Sequence, residues 1–234
     1  MFWLNTACNI APEKLPFTWN GLCLQEPMAL LTNWVIAITA LFLFFRIKRP
    51  FSAFRRNWRK FYLFFSISTF FGGLGHLLFF YFDVFGKYPC WIFGFIAAFY
   101  ASKAMISVNM LTESMKRNLM WMIYGKLFIL LSAAIIFKSF FFVMADAIIT
   151  YLYFCLGLGL IYLKKGYKSF SYTILAVLIL MPSIYIFLMK VNPHIWFNKD
   201  DLSHVLMVLT IIFFYIGVVK FANVETGEGV KEHN

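Results

Sequence analysis

Seven apolar segments of membrane-crossing length follow one another along this chain and leave almost no room for a soluble fold. A helix rising 1.5 Å per residue needs about 20 apolar residues to cross roughly 30 Å of hydrocarbon. Spans are drawn at about 28–45, 61–82, 89–111, 119–137, 140–163, 169–189 and 202–221. Only Lys138 and Ser139 separate the fourth from the fifth, so six spans are the other way to draw the chain. Of the 234 residues, 62% are hydrophobic and 13% are charged, whereas soluble domains carry about 25% charged residues. The expected fold class is therefore all-α, a polytopic membrane helix bundle. It divides into an extracytoplasmic N-terminal segment (1–27), a transmembrane domain (28–222) and a cytoplasmic tail (223–234). The first residues show no basic start, apolar core and small-residue cleavage site, so the first span is expected to direct insertion.

A net charge of +11 suggests nucleic acid until the cations are located. With seven spans, fourteen of the 21 Lys and Arg fall on one side of the membrane and five on the other. The positive-inside rule then puts the N-terminus out and the C-terminus in. No nucleic-acid partner is expected. The expected partner is the lipid bilayer. Trp58 and Trp121 are expected near the inner interface, Trp91 and Trp196 near the outer one. The first loop, RIKRPFSAFRRNWRK, either anchors topology or lies as a surface segment on an anionic inner leaflet. The same topology puts Cys8, Cys23 and Cys90 on the outer side and Cys155 inside the fifth span. A Cys8–Cys23 or a Cys23–Cys90 disulfide would tie the N-terminal segment over the outer mouth.

Topology also gathers the acids. Glu26, Asp83, Asp200, Asp201 and His204 fall at the outer ends of spans, and Asp146 lies about six residues below one. His76 lies seven residues, about 10 Å of helix rise, before Asp83. Ser68, Gly72, Gly75, His76 and Asp83 share one face of the second span, and the glycines allow a neighbouring helix to approach closely. Asp201 and His204, three apart, share a face of the seventh. Pro182 is expected to bend the sixth span. The resulting site, expected between the second and seventh spans, has three readings. It is a hydrogen-bonded polar cluster with Ser68, Asp146 and Glu26, a metal site, or a metal-free substrate or proton site. As a metal site it would use His76, His204 and Asp201 to hold zinc or another divalent cation. Lys103 and Lys126 either reach toward the cytoplasmic interface or, for Lys126, pair with Asp146.

Three stretches carry a resemblance: Glu26-Pro27 with Leu31-Thr32-Asn33, Gly72-Gly73-Leu74-Gly75-His76, and Asp200-Asp201-Leu202-Ser203-His204 with Phe214-Tyr215. The chain resembles an uncharacterised family of small bacterial multi-pass proteins with a Glu-Pro entry, a Gly-Gly…His helix and an Asp-x-x-His exit. More distantly it is similar to the alkaline ceramidase and adiponectin-receptor superfamily of seven-helix metal hydrolases. Those carry a Ser-x-x-x-His early and a His-x-x-x-His on the last helix. Here position 72 is Gly, with Ser68 one turn further back, and Val208 stands where the second late histidine would be. The distant resemblance implies His76 and His204 as ligands and Asp83 or Asp201 as third ligand or catalytic base. The implied activity is metal-assisted hydrolysis of a lipid-like amide or ester. A non-enzymatic lipid or small-molecule binding protein or carrier, or an accessory membrane subunit, would use the same chain differently.

Overall fold

The computed structural model describes residues 16–47 and 52–225. A two-stranded hairpin, β1 (Pro16–Trp19) and β2 (Leu22–Gln25), turns at Asn20-Gly21, where both residues have positive φ. All the remaining regular structure described is helical. Six helices are long and apolar enough to cross a membrane. They are α1 (Pro27–Arg46), the stretch Phe79–Ile106, α5 (Glu113–Ile136), Phe141–Lys164, Phe170–Leu188 and the helix that begins at Lys199. Phe79–Ile106 comprises α3 (Phe79–Phe82), a 3-10 turn (Asp83–Lys87) and α4 (Tyr88–Ile106). Phe141–Lys164 comprises α6 (Phe141–Ile148), a π-helical segment (Ile149–Leu158) and α7 (Gly159–Lys164). Pro182 divides the next span into α8 (Phe170–Leu180) and α9 (Pro182–Leu188), because a proline ring removes one ladder hydrogen bond and clashes with the preceding turn. The last helix is α10 (Lys199–Glu225).

A further long helix, α2 (Ala53–Leu77), is as long as these but more polar. Its Ser66, Ser68, Thr69, Gly72, Gly73 and Gly75 are buried, and it packs mainly against α1 and α4. Side-chain hydroxyls satisfy themselves on neighbouring carbonyls: Ser66 donates to Ala37 O at 2.8 Å and Tyr62 to Ile211 O at 2.8 Å. At Gly73 an added Cβ would stand 3.1 Å from Leu30 O, so α1 and α2 approach backbone to backbone. Outward faces are apolar, with Phe45 66%, Phe128 74% and Ile136 71% exposed. Contiguous exposed apolar surface on several helices is what a bilayer, not water, covers.

The basic first loop differs from expectation. Lys48, Arg49 and Phe51 lie outside the described residues, but α2 already starts at Ala53, with Ser52 Oγ accepting from Arg55 N as its cap. Phe54 and Trp58 are buried against Phe170, Phe214 and Phe221, rather than lying at the interface. Aromatic rings of this size contribute more inside a packed bundle than at its rim. Trp121, 71% exposed, keeps an outward position, and Trp91 is buried.

Candidate functional site

The site assembles at the end of the bundle where α1 and α10 begin and α2 finishes. Pro27 opens α1, where its fixed φ suits the first helical turn. Glu26 before it has φ 46° and ψ 59°, a left-handed conformation that residues with a side chain rarely adopt. Its side chain does not cap α1. It reaches across to α2, where Oε2 lies 2.7 Å from His76 Nδ1. Backbone strain of about 1–3 kcal/mol persists only where the surroundings impose it, and here it goes with a carboxylate aimed at an imidazole. Both side chains are mostly covered, His76 17% and Glu26 9% exposed.

α10 starts three residues earlier than the apolar run suggests, because Asn198 caps it. Asn198 Oδ1 accepts from the N–H of Asp200 at 2.8 Å and of Asp201 at 3.3 Å, while Asp201 Oδ2 accepts from Asn198 N at 3.0 Å. This reciprocal pattern is a capping box, and the acids of the first turn also suit the positive end of the helix dipole. Asp201, 1% exposed, has a second contact: Oδ1 lies 2.9 Å from Thr32 Oγ1, which is itself 2.8 Å from His204 Nδ1. A carboxylate can only accept and a hydroxyl has one hydrogen. Thr32 Oγ1 also lies 3.0 Å from Met28 O, so its one hydrogen has Asp201 and the backbone of its own helix as acceptors. When it is given to either, the hydroxyl accepts from His204 Nδ1–H and His204 Nε2 keeps its lone pair. The carboxylate of Glu26 likewise takes Nδ1–H of His76 and leaves Nε2 of that ring available. Each imidazole is thus oriented by a carboxylate, one directly and one through a threonine.

The ligand atoms of Glu26, His76 and Asp200 all lie within 4.8 Å of one another. One imidazole and two carboxylates make a donor set that suits zinc, iron or manganese, and its charge balances a divalent cation. The residues present therefore fit such an ion.

The trio brought within 4.8 Å contains Glu26, His76 and Asp200. His204 and Asp201, engaged with Thr32, lie beside it and within electrostatic reach of His76. The cluster is not formed by the second and seventh spans alone. α10 meets α2 through the Trp58–Phe214 and Phe54–Phe221 rings and the Tyr62–Ile211 hydrogen bond, while at the cluster α1 joins the two helices with Glu26 and Thr32. Asp83 is exposed, with φ 48° in the turn after α3, and its carboxylate has no partner among the described residues. Ser68 faces α4 and donates to Cys90 O at 2.8 Å. Cys23 is disulfide-bonded but Cys90 is a free thiol, 3.7 Å from Ser68 Oγ, so the Cys23–Cys90 bridge is not made. Cys8 lies outside the described residues. His194 is exposed in the loop before α10, where its Nδ1 accepts from Trp196 N at 3.1 Å.

Asp146 belongs to a second buried cluster. Lys126 of α5 donates to its carboxylate and, at 2.7 Å, to Thr150 Oγ1. Both charged residues are nearly inaccessible, Lys126 8% and Asp146 3% exposed. The same ammonium lies 3.4 Å from Asp146 O, where the α-helical ladder gives way to the π-helical one. A competing donor at that carbonyl is a local cause for the wider turn.

Thr32 and Asp200 join the cluster although the sequence did not single them out as candidate site residues; Thr32 stands there only within the Leu31-Thr32-Asn33 motif.

Fold and site together define a helical protein with membrane-length apolar helices and a histidine–carboxylate cluster at one end. The chain belongs to the family of unknown function DUF6962, whose sequence pattern it matches over residues 28–223. No curated protein and no solved structure matches it.

Proposed function

We propose that this chain is a seven-helix protein of a bacterial inner membrane, N-terminus out and C-terminus in, and a metal-dependent hydrolase of a lipid-like amide or ester. The observation that carries the proposal is the approach of Glu26, His76 and Asp200 ligand atoms to within 4.8 Å. α2, second in chain order, would bring the six apolar spans to seven: it is long enough, and its polar face is buried between α1 and α4. The excess of Lys and Arg at the opposite end of the bundle supports the orientation.

Glu26, His76 and Asp200 would hold the cation, which when bound supplies Lewis-acid polarisation of the substrate carbonyl. His204 at the same end of the bundle would take a proton from water and return it to the leaving group, with Thr32 and Asp201 holding its ring in place. The apolar outer faces of the helices let an acyl chain approach from the bilayer.

A non-enzymatic lipid-binding protein or carrier is the second reading, favoured by the direct Glu26–His76 bond, which satisfies both groups without a cation. The two separate in one experiment. Purified protein in phospholipid nanodiscs is incubated with fatty-acyl amides and esters, and released fatty acid is measured by mass spectrometry. The hydrolase releases it, and His204→Ala lowers the rate by about a hundredfold or more, the usual scale of general acid–base catalysis. Saturable lipid retention with no release contradicts the enzyme and supports the carrier.

A further inference from the structure

At the end of the bundle away from Glu26 and His76, three helices border a half-open cleft of about 260 Å³. Its lining includes Arg56, Asn57 and Lys60 from α2, Lys103 and Ser107 from the end of α4, and Lys116 from α5. Arg56 and Lys60 are one helical turn apart and so share a face. No acidic residue lines the cleft. Lys116 is partly neutralised by Glu113 at 2.8 Å. Among the described residues, Arg56, Lys60 and Lys103 have no carboxylate partner. Lys60 and Lys103 are held over the rings of Tyr100 and Phe99, at 5.0 and 5.7 Å, which fixes their direction without cancelling their charge. The Asn57 side chain is 5% exposed, lines the cleft and has no hydrogen-bond partner among the described residues. Ala53, also in the lining, contributes the first turn of α2, whose backbone N–H groups are not all taken by intrahelical bonds.

Arg56 and Lys60 are exposed and Lys103 and Lys116 half-buried, and together with the buried Asn57 they line a half-open cleft without an acid, beside the first turn of α2. We infer that this cleft binds the phosphate group of an anionic ligand. Arg56, Lys60 and Lys103 supply the charge, while Asn57 and the α2 first turn supply the neutral donors. Lipid headgroups and free phosphate esters share that chemistry. Arg56 precedes His76 by 20 residues on one helix, about 30 Å of rise, so the cleft sits at the opposite interface if α2 crosses the membrane.

The test is native mass spectrometry of the full chain in a neutral detergent, with phosphatidylglycerol, phosphatidylcholine or glycerol 3-phosphate added in turn. Wild type is expected to retain phosphatidylglycerol or glycerol 3-phosphate and not phosphatidylcholine, and whichever is retained identifies the source. Arg56→Gln with Lys103→Gln is expected to weaken retention about thirtyfold, from roughly fivefold for each cation near an anionic group. Lys164→Gln with Lys168→Gln removes the same charge outside the cleft and is expected to change retention little. Asn57→Leu, which keeps every charge, is expected to weaken it as well. Equal losses in the two charge variants, or no retention of either phosphate-bearing probe by wild type, would overturn the inference. Thermal melting of each variant shows that losses are not unfolding.

Discussion

His76 Nδ1 lies 2.7 Å from Glu26 Oε2, and this bond ties the end of α2 to the residue that starts α1. Two separate costs meet at Glu26, the lost bond and the left-handed backbone, and substitution can part them. Glu26→Gly accepts φ 46° without strain and loses the side-chain contacts, the His76 bond accounting for about 1–2 kcal/mol. Glu26→Ala keeps the strain as well, and is expected to fall about 1 kcal/mol further. Denaturation midpoints of the two variants in one detergent check the order.

Thr32 joins Asp201 to His204. Thr32→Val has nearly the same shape but leaves a buried carboxylate oxygen and an imidazole N–H without their partner. It is expected to cost about 1–3 kcal/mol, while Thr32→Ser costs less because it keeps the hydroxyl. If hydrolysis is observed, Thr32→Val lowers it while Thr32→Ser retains most of it. Equal rates for the two would show that the tautomer of His204 is set otherwise.

Lys126 and Asp146 are buried together between α5 and α6. Lys126→Met alone strands a carboxylate in the apolar interior and is expected to cost about 3–5 kcal/mol. Lys126→Met with Asp146→Leu removes both charges and is expected to recover most of that loss. A double-mutant cycle on unfolding free energy measures the coupling, and an additive result would mean the pair contributes nothing.

At Gly75 an added Cβ would stand 2.8 Å from the carbonyl oxygen of Gly86, which is backbone and cannot swing aside. Gly75→Ala is expected to push α2 from the 3-10 turn and cost about 1–3 kcal/mol. Gly125 has nothing within 4 Å of the same position. Gly125→Ala is expected to be neutral or stabilising by up to about 1 kcal/mol. Melting temperatures of the pair test the contrast.

Much of this architecture was legible in the sequence, because hydrophobic length alone marks where helices lie. The break at Pro182 and the close packing at the α2 glycines followed from residue chemistry. So did the shared face of Asp201 and His204, whereas the Lys126–Asp146 pair was one of two readings that the structure decides. What a sequence pattern does not carry is the rotation of each helix against its neighbours. Asp200 and Asp201 are adjacent, yet successive helical residues point about 100° apart, so one joins Glu26 and His76 while the other joins Thr32. That α1 supplies Glu26 and Thr32 to the cluster beside α2 and α10 is a packing fact with no periodic signature. The burial of Trp58 depends on α2 starting inside what reads as a basic loop. The exposure of Asp83 follows from α2 ending at Leu77 and a short turn taking the chain outward.

Metal content tests the central claim most directly. The protein is purified without chelator, equilibrated with zinc, iron or manganese, freed of excess ion and measured by inductively coupled plasma mass spectrometry. The account predicts about one divalent ion per chain in wild type and in Asp83→Asn, and loss of most of it in His76→Ala and Asp200→Ala. Folded wild-type protein that retains none of these ions, or retention that survives both His76→Ala and Asp200→Ala, would contradict it.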